Sequence, residues 1–186
     1  MKIGFSGFHA SGKTTTAHEI VAKIKKRSVT CSLVSGAARS SRRLAVGDKS
    51  LDMHLEVIGL QLVQEMRASQ NVKHLVSDRT MLDYLAYGEC RGIASSGGKE
   101  LFQSTKLLCG SYLRSYDVIF IVDGSFGNAD FDKARVASDV TESEFMLSLN
   151  RLVKEFDINE LVHRLPASEL TSRAWDWVQE RLDKPT

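Results

Sequence analysis

The sequence predicts an α/β protein: a five-stranded parallel sheet with helices on both faces, forming one domain over residues 1–186. Three observations predict it. Short apolar, β-branched segments alternate with longer stretches of helical periodicity, the pattern of βαβ units. The clearest strand, Asp117-Val118-Ile119-Phe120-Ile121-Val122-Asp123, is apolar at every interior position, as a strand buried on both faces must be. Only two prolines, at 166 and 185, fall within 186 residues, and no internal repeat or low-complexity linker marks a boundary.

In chain order, Lys2 to Ser6 reads as the first strand, followed by a glycine-rich turn and a helix from about Thr14 to Arg27. Thr30 to Ser35 is the second strand. Leu51, Leu55, Ile58 and Leu62 recur at spacings of 4, 3 and 4, the stripe of an amphipathic helix. His74 to Ser77 is a third strand ending at Asp78-Arg79, and Leu82 to Cys90 is helical. Ser95-Ser96-Gly97-Gly98 makes a turn before a helix from Lys99 to Arg114, and Asp117–Asp123 is the fourth strand. Thr141-Glu142-Ser143-Glu144 is a capping box, after which Phe145, Leu149, Leu152, Val153 and Phe156 trace one helix face. Ile158 to Leu165 is the fifth strand. A last helix carries Trp175 and Trp177, whose amphipathic setting makes them packing residues.

Composition narrows the function. With 42% hydrophobic and 26% charged residues, the chain has enough apolar content to offset the entropy of ordering. No apolar run approaches the roughly 20 residues that cross a bilayer, so no membrane partner is expected. Met1 to Gly7 carries one charge and a short apolar stretch, unlike a signal peptide. Cys31, Cys90 and Cys109 are widely spaced and odd in number; they suit a reducing, cytoplasmic setting rather than a zinc site or disulfide framework. The net charge of +2 hides an asymmetry. Residues 1–49 hold ten Lys/Arg against two acids, Glu19 and Asp48, which points to an anionic ligand or to a solvated helix end at Lys23–Arg27.

Gly7-Phe8-His9-Ala10-Ser11-Gly12-Lys13-Thr14 matches G-x-x-x-x-G-K-[ST], and it follows a strand and opens a helix as that motif's mechanism requires. Backbone N–H groups from Gly7 to Thr14 are expected to converge on a phosphate at the positive end of the helix dipole. Lys13 would reach the β- and γ-phosphates and the Thr14 hydroxyl would hold Mg²⁺. The nucleotide-binding set is therefore Gly7, His9, Ala10, Ser11, Gly12, Lys13, Thr14 and Thr15, with no catalytic role for His9 at its variable position. No Asn-Lys-x-Asp tetrapeptide occurs, which argues against a GTPase. No strand ends in Asp-Glu, which argues against a hydrolytic ATPase. Asp78 at the end of the third strand would face the loop, to bind the metal or accept a proton, and Arg79 would point to the acceptor.

These residues, with Ser77-Asp78-Arg79-Thr80-Met81-Leu82-Asp83-Tyr84-Leu85-Ala86-Tyr87, resemble the P-loop nucleoside and nucleotide kinases, above all the ribosylnicotinamide-kinase-like AAA-domain branch, with thymidylate-kinase-like enzymes as more distant relatives. The resemblance implies a three-layer P-loop NTPase fold with a lid segment over residues 124–140. It implies ATP and Mg²⁺ as cofactors and transfer of the γ-phosphoryl group to a small-molecule nucleotide or nucleoside acceptor, a nucleoside monophosphate before others. A modified base in DNA, ribosylnicotinamide, or a non-catalytic nucleotide-gated module stand as alternatives, and a homodimer is compatible with it. Residue by residue, it implies that Arg39 in Ala37-Ala38-Arg39, Gln61 and Arg79 hold the acceptor. Arg135 in Asp132-Lys133-Ala134-Arg135 would act catalytically from the lid with Lys13 and Asp78. Arg173 in Ser168–Arg173 would lie near the adenine, and Thr14 and Asp78 would serve the metal. One departure stands out: Ser35-Gly36 occupies the end of the second strand, where the family often has an acid. An acceptor that is already an ionised phosphate, or Asp78 as base, accommodates that loss. Arg39, Arg42 and Arg43 form either a phosphate clamp or a solvated basic loop.

Overall fold

Five strands, β1 (Lys2–Gly7), β2 (Cys31–Val34), β3 (His74–Ser77), β4 (Val118–Asp123) and β5 (Val162–Pro166), lie in the order β2-β3-β1-β4-β5, and every neighbouring pair is parallel. The structure is a computed structural model, and it describes residues 1–93, 98–125 and 139–183. The strand order reverses around central β1, so the carboxyl ends of β1, β3 and β4 open onto the crevice where such sheets take ligands. The register Gly4↔Ser77 brings the end of β3 alongside the turn that leaves β1.

Helices cover both faces. On one, α1 (Lys13–Lys26) and α7 (Leu170–Leu182) bury Ile20, Ile24, Ala174 and Val178 against Ile3, Phe5, Phe120 and Val122. Trp177 adds an edge-on contact with Phe120 at 5.8 Å between ring centres. On the other, α3 (Leu51–Ala68), α4 (Met81–Cys90), α5 (Lys99–Leu113) and α6 (Glu142–Glu155) enclose Met53, Leu82, Leu85, Phe102, Phe145 and Leu149 with Ile119 and Ile121. Alternation along β1 divides these layers: Ile3 and Phe5 face the first core, and Gly4 and Ser6 the second. Gly4 is required by close approach, since a Cβ there would lie 2.5 Å from Thr80 Cγ2 and 2.8 Å from the Tyr116 ring.

Two local differences from expectation have physical causes. Residues 42–45 form a short helix, α2, capped by the Ser41 side chain, which accepts from Leu44 N–H at 3.1 Å. The fifth strand starts at Val162 rather than Ile158, because Asp157 turns at φ 50° and folds fully buried Ile158 back against the end of α6. The Thr141 capping box forms in both directions, at 3.3 Å to Glu144 N and 2.9 Å from Thr141 N. Most of the expected lid, including Arg135, and the turn at residues 95–97 lie outside the described residues. Among the described residues no helix is long and apolar enough to cross a membrane.

Candidate active site

The turn after β1 is built to present backbone donors. Ala10 at φ 57° and Gly12 at φ 83° are left-handed, which curls the chain so that successive N–H groups point inward. Gly12 caps α1, so the helix dipole's positive end opens into the same concavity. The Ser11 hydroxyl donates to Phe8 O at 2.8 Å and sets the loop's width. Lys13 is 4% exposed and folds its ammonium back onto Phe8 O and Ser11 Oγ, at 2.8 Å from the latter. His9 stacks on Phe8 at 3.8 Å and lies 3.4 Å from the Tyr87 hydroxyl, and Thr15 is exposed on the first turn of α1.

Gly7 departs from expectation. Its N–H was expected to serve phosphate, but it donates to Asp83 Oδ1 at 2.9 Å. Gly7 is still obligatory: it stands at φ 144°, and a Cβ would lie 2.9 Å from Val122 O. The donors left for an anion therefore begin after Gly7.

Across the crevice, the Thr14 hydroxyl donates to Asp78 at 2.8 and 3.0 Å from its two oxygens, and Ser35 Oγ donates to the same carboxylate at 3.3 Å. The ends of β2 and β3 and the start of α1 thus converge on Asp78, 6% exposed. The next residue, Arg79, keeps a quarter of its side chain exposed and sets Nη1 3.4 Å from Asp83 Oδ2. Asp83 is fully buried. Burial raises its carboxyl above the ordinary carboxylate range, against the pull of Arg79, Lys13 and the Gly7 N–H.

Gln61 sits on α3 at 1% exposure with both ends of its amide engaged: Nε2 donates to Glu65 Oε1 at 2.6 Å and to Arg79 O at 2.9 Å, and Oε1 accepts from the Tyr84 hydroxyl at 3.2 Å. It fixes the backbone of Arg79 instead of facing the crevice with free donors. Glu65, also buried, is paired with Lys2 at 2.8 Å and accepts from Tyr116 at 2.6 Å. Arg39 is exposed on the turn at residues 38–40, and neither it nor Arg42 has a carboxylate partner among the described residues. Arg43 is held by Asp48 at 3.2 Å and Asp52 at 3.5 Å. Arg173 is exposed on the first turn of α7 and pairs with Glu169 at 3.2 Å; the same turn joins α1 through Thr171 and Thr16 at 2.6 Å.

The structure thus brings Lys13, Thr14, Asp78 and Arg79 to one crevice, while Arg39 and Arg173 are exposed on the turn at residues 38–40 and on α7. Sequence reasoning missed Asp83. Its signal was present: an acid in the first turn of a helix whose other residues are almost all apolar needs a buried partner.

No family model matches the chain, and no curated protein matches it. Solved structures do. A deoxyadenosine kinase from M. mycoides with bound dATP matches with TM-score 0.64 at 16% identity, over 99% of this chain and 100% of that one. The NadR protein in complex with NAD and AMP-PNP matches with TM-score 0.72 at 16% identity; it covers all of this chain, which spans 50% of NadR. A thymidylate kinase from Candida albicans matches with TM-score 0.60 at 13% identity, over 97% of this chain and 91% of that one. The chain has the three-layer α/β P-loop fold that these proteins share.

Proposed function

We propose that the protein is an ATP-dependent phosphotransferase that acts on a nucleotide or nucleoside-type acceptor. One observation carries this reading: the Thr14 hydroxyl and the Asp78 carboxylate, 64 residues apart in sequence, meet at 2.8 Å beside a loop with left-handed residues at Ala10 and Gly12 and a buried lysine. The donor set fits Mg²⁺, which takes hard oxygen ligands and needs only one or two from the protein when phosphates supply others. Thr14 and Asp78 would hold it, and the ion supplies charge neutralisation at the β- and γ-phosphates. Lys13 exchanges Phe8 O and Ser11 Oγ for phosphate oxygens and follows the γ-phosphoryl group through transfer. The acceptor oxygen bonds to the γ-phosphorus as the bond to the β,γ-bridging oxygen breaks, and Arg79 holds the acceptor in line. Asp78 receives the proton when the acceptor is a hydroxyl.

The names of the neighbouring structures support an acceptor of nucleoside or nucleotide type, and the absence of an acid at Ser35-Gly36 favours an ionised monophosphate. The test is transfer from radiolabelled ATP to nucleosides, nucleoside monophosphates, ribosylnicotinamide and modified DNA. Labelled product with a monophosphate is the expected result. ATP binding without stimulation by any acceptor would instead indicate a nucleotide-gated module.

A further inference from the structure

Asp83 occupies a place that phosphate binding alone does not explain. It is fully buried, and its two carboxylate oxygens meet different partners. Oδ1 accepts from the N–H of Gly7, the first residue of the phosphate-binding loop, at 2.9 Å. Oδ2 lies 3.4 Å from Arg79 Nη1, and neither of these two atoms has a directed hydrogen bond among the described residues. A buried carboxylate and a guanidinium normally align in a bidentate pair. Here they attract without locking. Arg79 is restrained from the other side, where Gln61 Nε2 holds its carbonyl at 2.9 Å. Its backbone is pinned, and its Nη1 is drawn towards Asp83 by charge without a directed hydrogen bond.

We propose that Asp83 is the positioning residue that ties the phosphate-binding loop to Arg79, so that one carboxylate sets the distance between the nucleotide and the acceptor. The inference rests on the kinase reading above. An undirected ion pair suits this task, because an incoming anionic acceptor can draw Arg79 away without breaking an aligned hydrogen bond. Asp83 meanwhile keeps its hold on Gly7, and the loop does not shift.

Four proteins test it: wild type, Asp83→Asn, Arg79→Gln and the double variant. Asparagine keeps an oxygen for Gly7 N–H and removes the charge that restrains Arg79. Turnover is measured with Mg·ATP and a pool of deoxynucleosides and nucleoside monophosphates, ATP affinity with a fluorescent ATP analogue, and Tm by melting. Asp83→Asn should lower kcat about 10-fold or more while ATP affinity stays within about 3-fold, the split that marks loss of a transition-state alignment. Because the two residues act as one unit, the double variant should be no slower than Arg79→Gln alone. Arg79→Gln leaves a buried carboxylate unpaired and should lower Tm by about 5 °C or more. Adding Asp83→Asn should recover at least half of that loss, a rescue that also covers the case in which Asp83→Asn folds poorly alone. Additive kcat losses, or a Tm that falls further in the double variant, overturn the proposal while wild-type turnover leaves the kinase reading intact. Wild type that turns over no ATP with any acceptor in the pool overturns both.

Discussion

The two halves of the crevice are built in opposite ways. On the nucleotide side, Ser11, Lys13, Thr14 and Asp78 all hold partners within the protein, and the backbone is fixed by left-handed residues at 10 and 12. On the side proposed for the acceptor, Arg39 and Arg42 are exposed and have no carboxylate partner among the described residues. A triphosphate presents the same charges in every reaction of this type, so its cradle can be built from backbone donors. An acceptor is chosen by side chains from separate segments, which are free to vary because no backbone geometry depends on them.

The sharpest way to break this comparison is to disable the rigid half. Lys13→Ala removes a buried ammonium that bonds Phe8 O and Ser11 Oγ within its own loop and leaves both hydrophobic cores untouched, so the fold should survive. Turnover should fall about 10²-fold or more, the cost of losing one preorganised transition-state donor, or about 3 kcal/mol. A folded variant with near-native kcat would show that the loop is a scaffold rather than the reaction centre.

The same contrast explains what the sequence disclosed. The phosphate-binding loop was readable because eight contiguous residues encode it, and β4 because its apolar run admits no other placement. Thr14 was legible from that same motif, and Asp78 from its place at the carboxyl end of a parallel strand. The partners of Asp83, as distinct from its need for one, and the Gln61–Glu65–Tyr116–Lys2 chain were not readable. Apart from the helical steps from Gln61 to Glu65 and from Arg79 to Asp83, each of their links joins residues at least 18 positions apart, and polar side chains on an amphipathic helix look the same in sequence whether they face water or a buried partner. The start of β5 was misplaced for a related reason: Ile158 is apolar because it closes the end of α6, not because it lies in the sheet.

His54 shows that the second core also holds a buried titratable group. It sits on α3 at 3% exposure, with Nε2 lacking a hydrogen-bond partner among the described residues. Burial, with the charge of Arg91, holds its pKa down at about 4, while the Tyr84 backbone, Asp139 and Asp48 work the other way. The ring is therefore neutral in the fold, whereas in the unfolded chain it gains a proton below about 6.5. The unfolded state binds more protons between those values, so stability falls as pH drops from 6.5 towards 4. At pH 5 the penalty is about 2 kcal/mol. Denaturant melts at pH 7 and pH 5 should show wild type losing about that much more than His54→Gln. Equal losses would mean that the imidazole meets water in the native state.

The smallest effect decides what the open half binds. If the acceptor is a free monophosphate, Arg39 contacts one compact dianion. Arg39→Ala should then raise the acceptor's KM about 10-fold, the worth of one charge-assisted contact, and change ATP affinity less than 2-fold or so. Arg42→Ala should do little. If the acceptor is DNA, Arg39, Arg42 and the basic end of α1 at Lys23, Lys25, Lys26 and Arg27 all neutralise backbone phosphates, and each contact releases a counterion. Acceptor affinity would then fall with salt at a log–log slope of about −0.9 per contact. The structure lowers the number of free cations that could take part. Lys23 pairs with Glu19 at 3.1 Å and lies over Trp175, and Arg27 pairs with Asp183 at 2.5 Å. Arg43 is shared between Asp48 and Asp52. With those three engaged and Arg39 exposed on the turn at residues 38–40, a slope near −1 or shallower is expected, and it would tie the acceptor to a single compact phosphate. A slope of −4 or steeper requires the paired cations to abandon their carboxylates for a polyanion, and it would move the acceptor from nucleotide to nucleic acid.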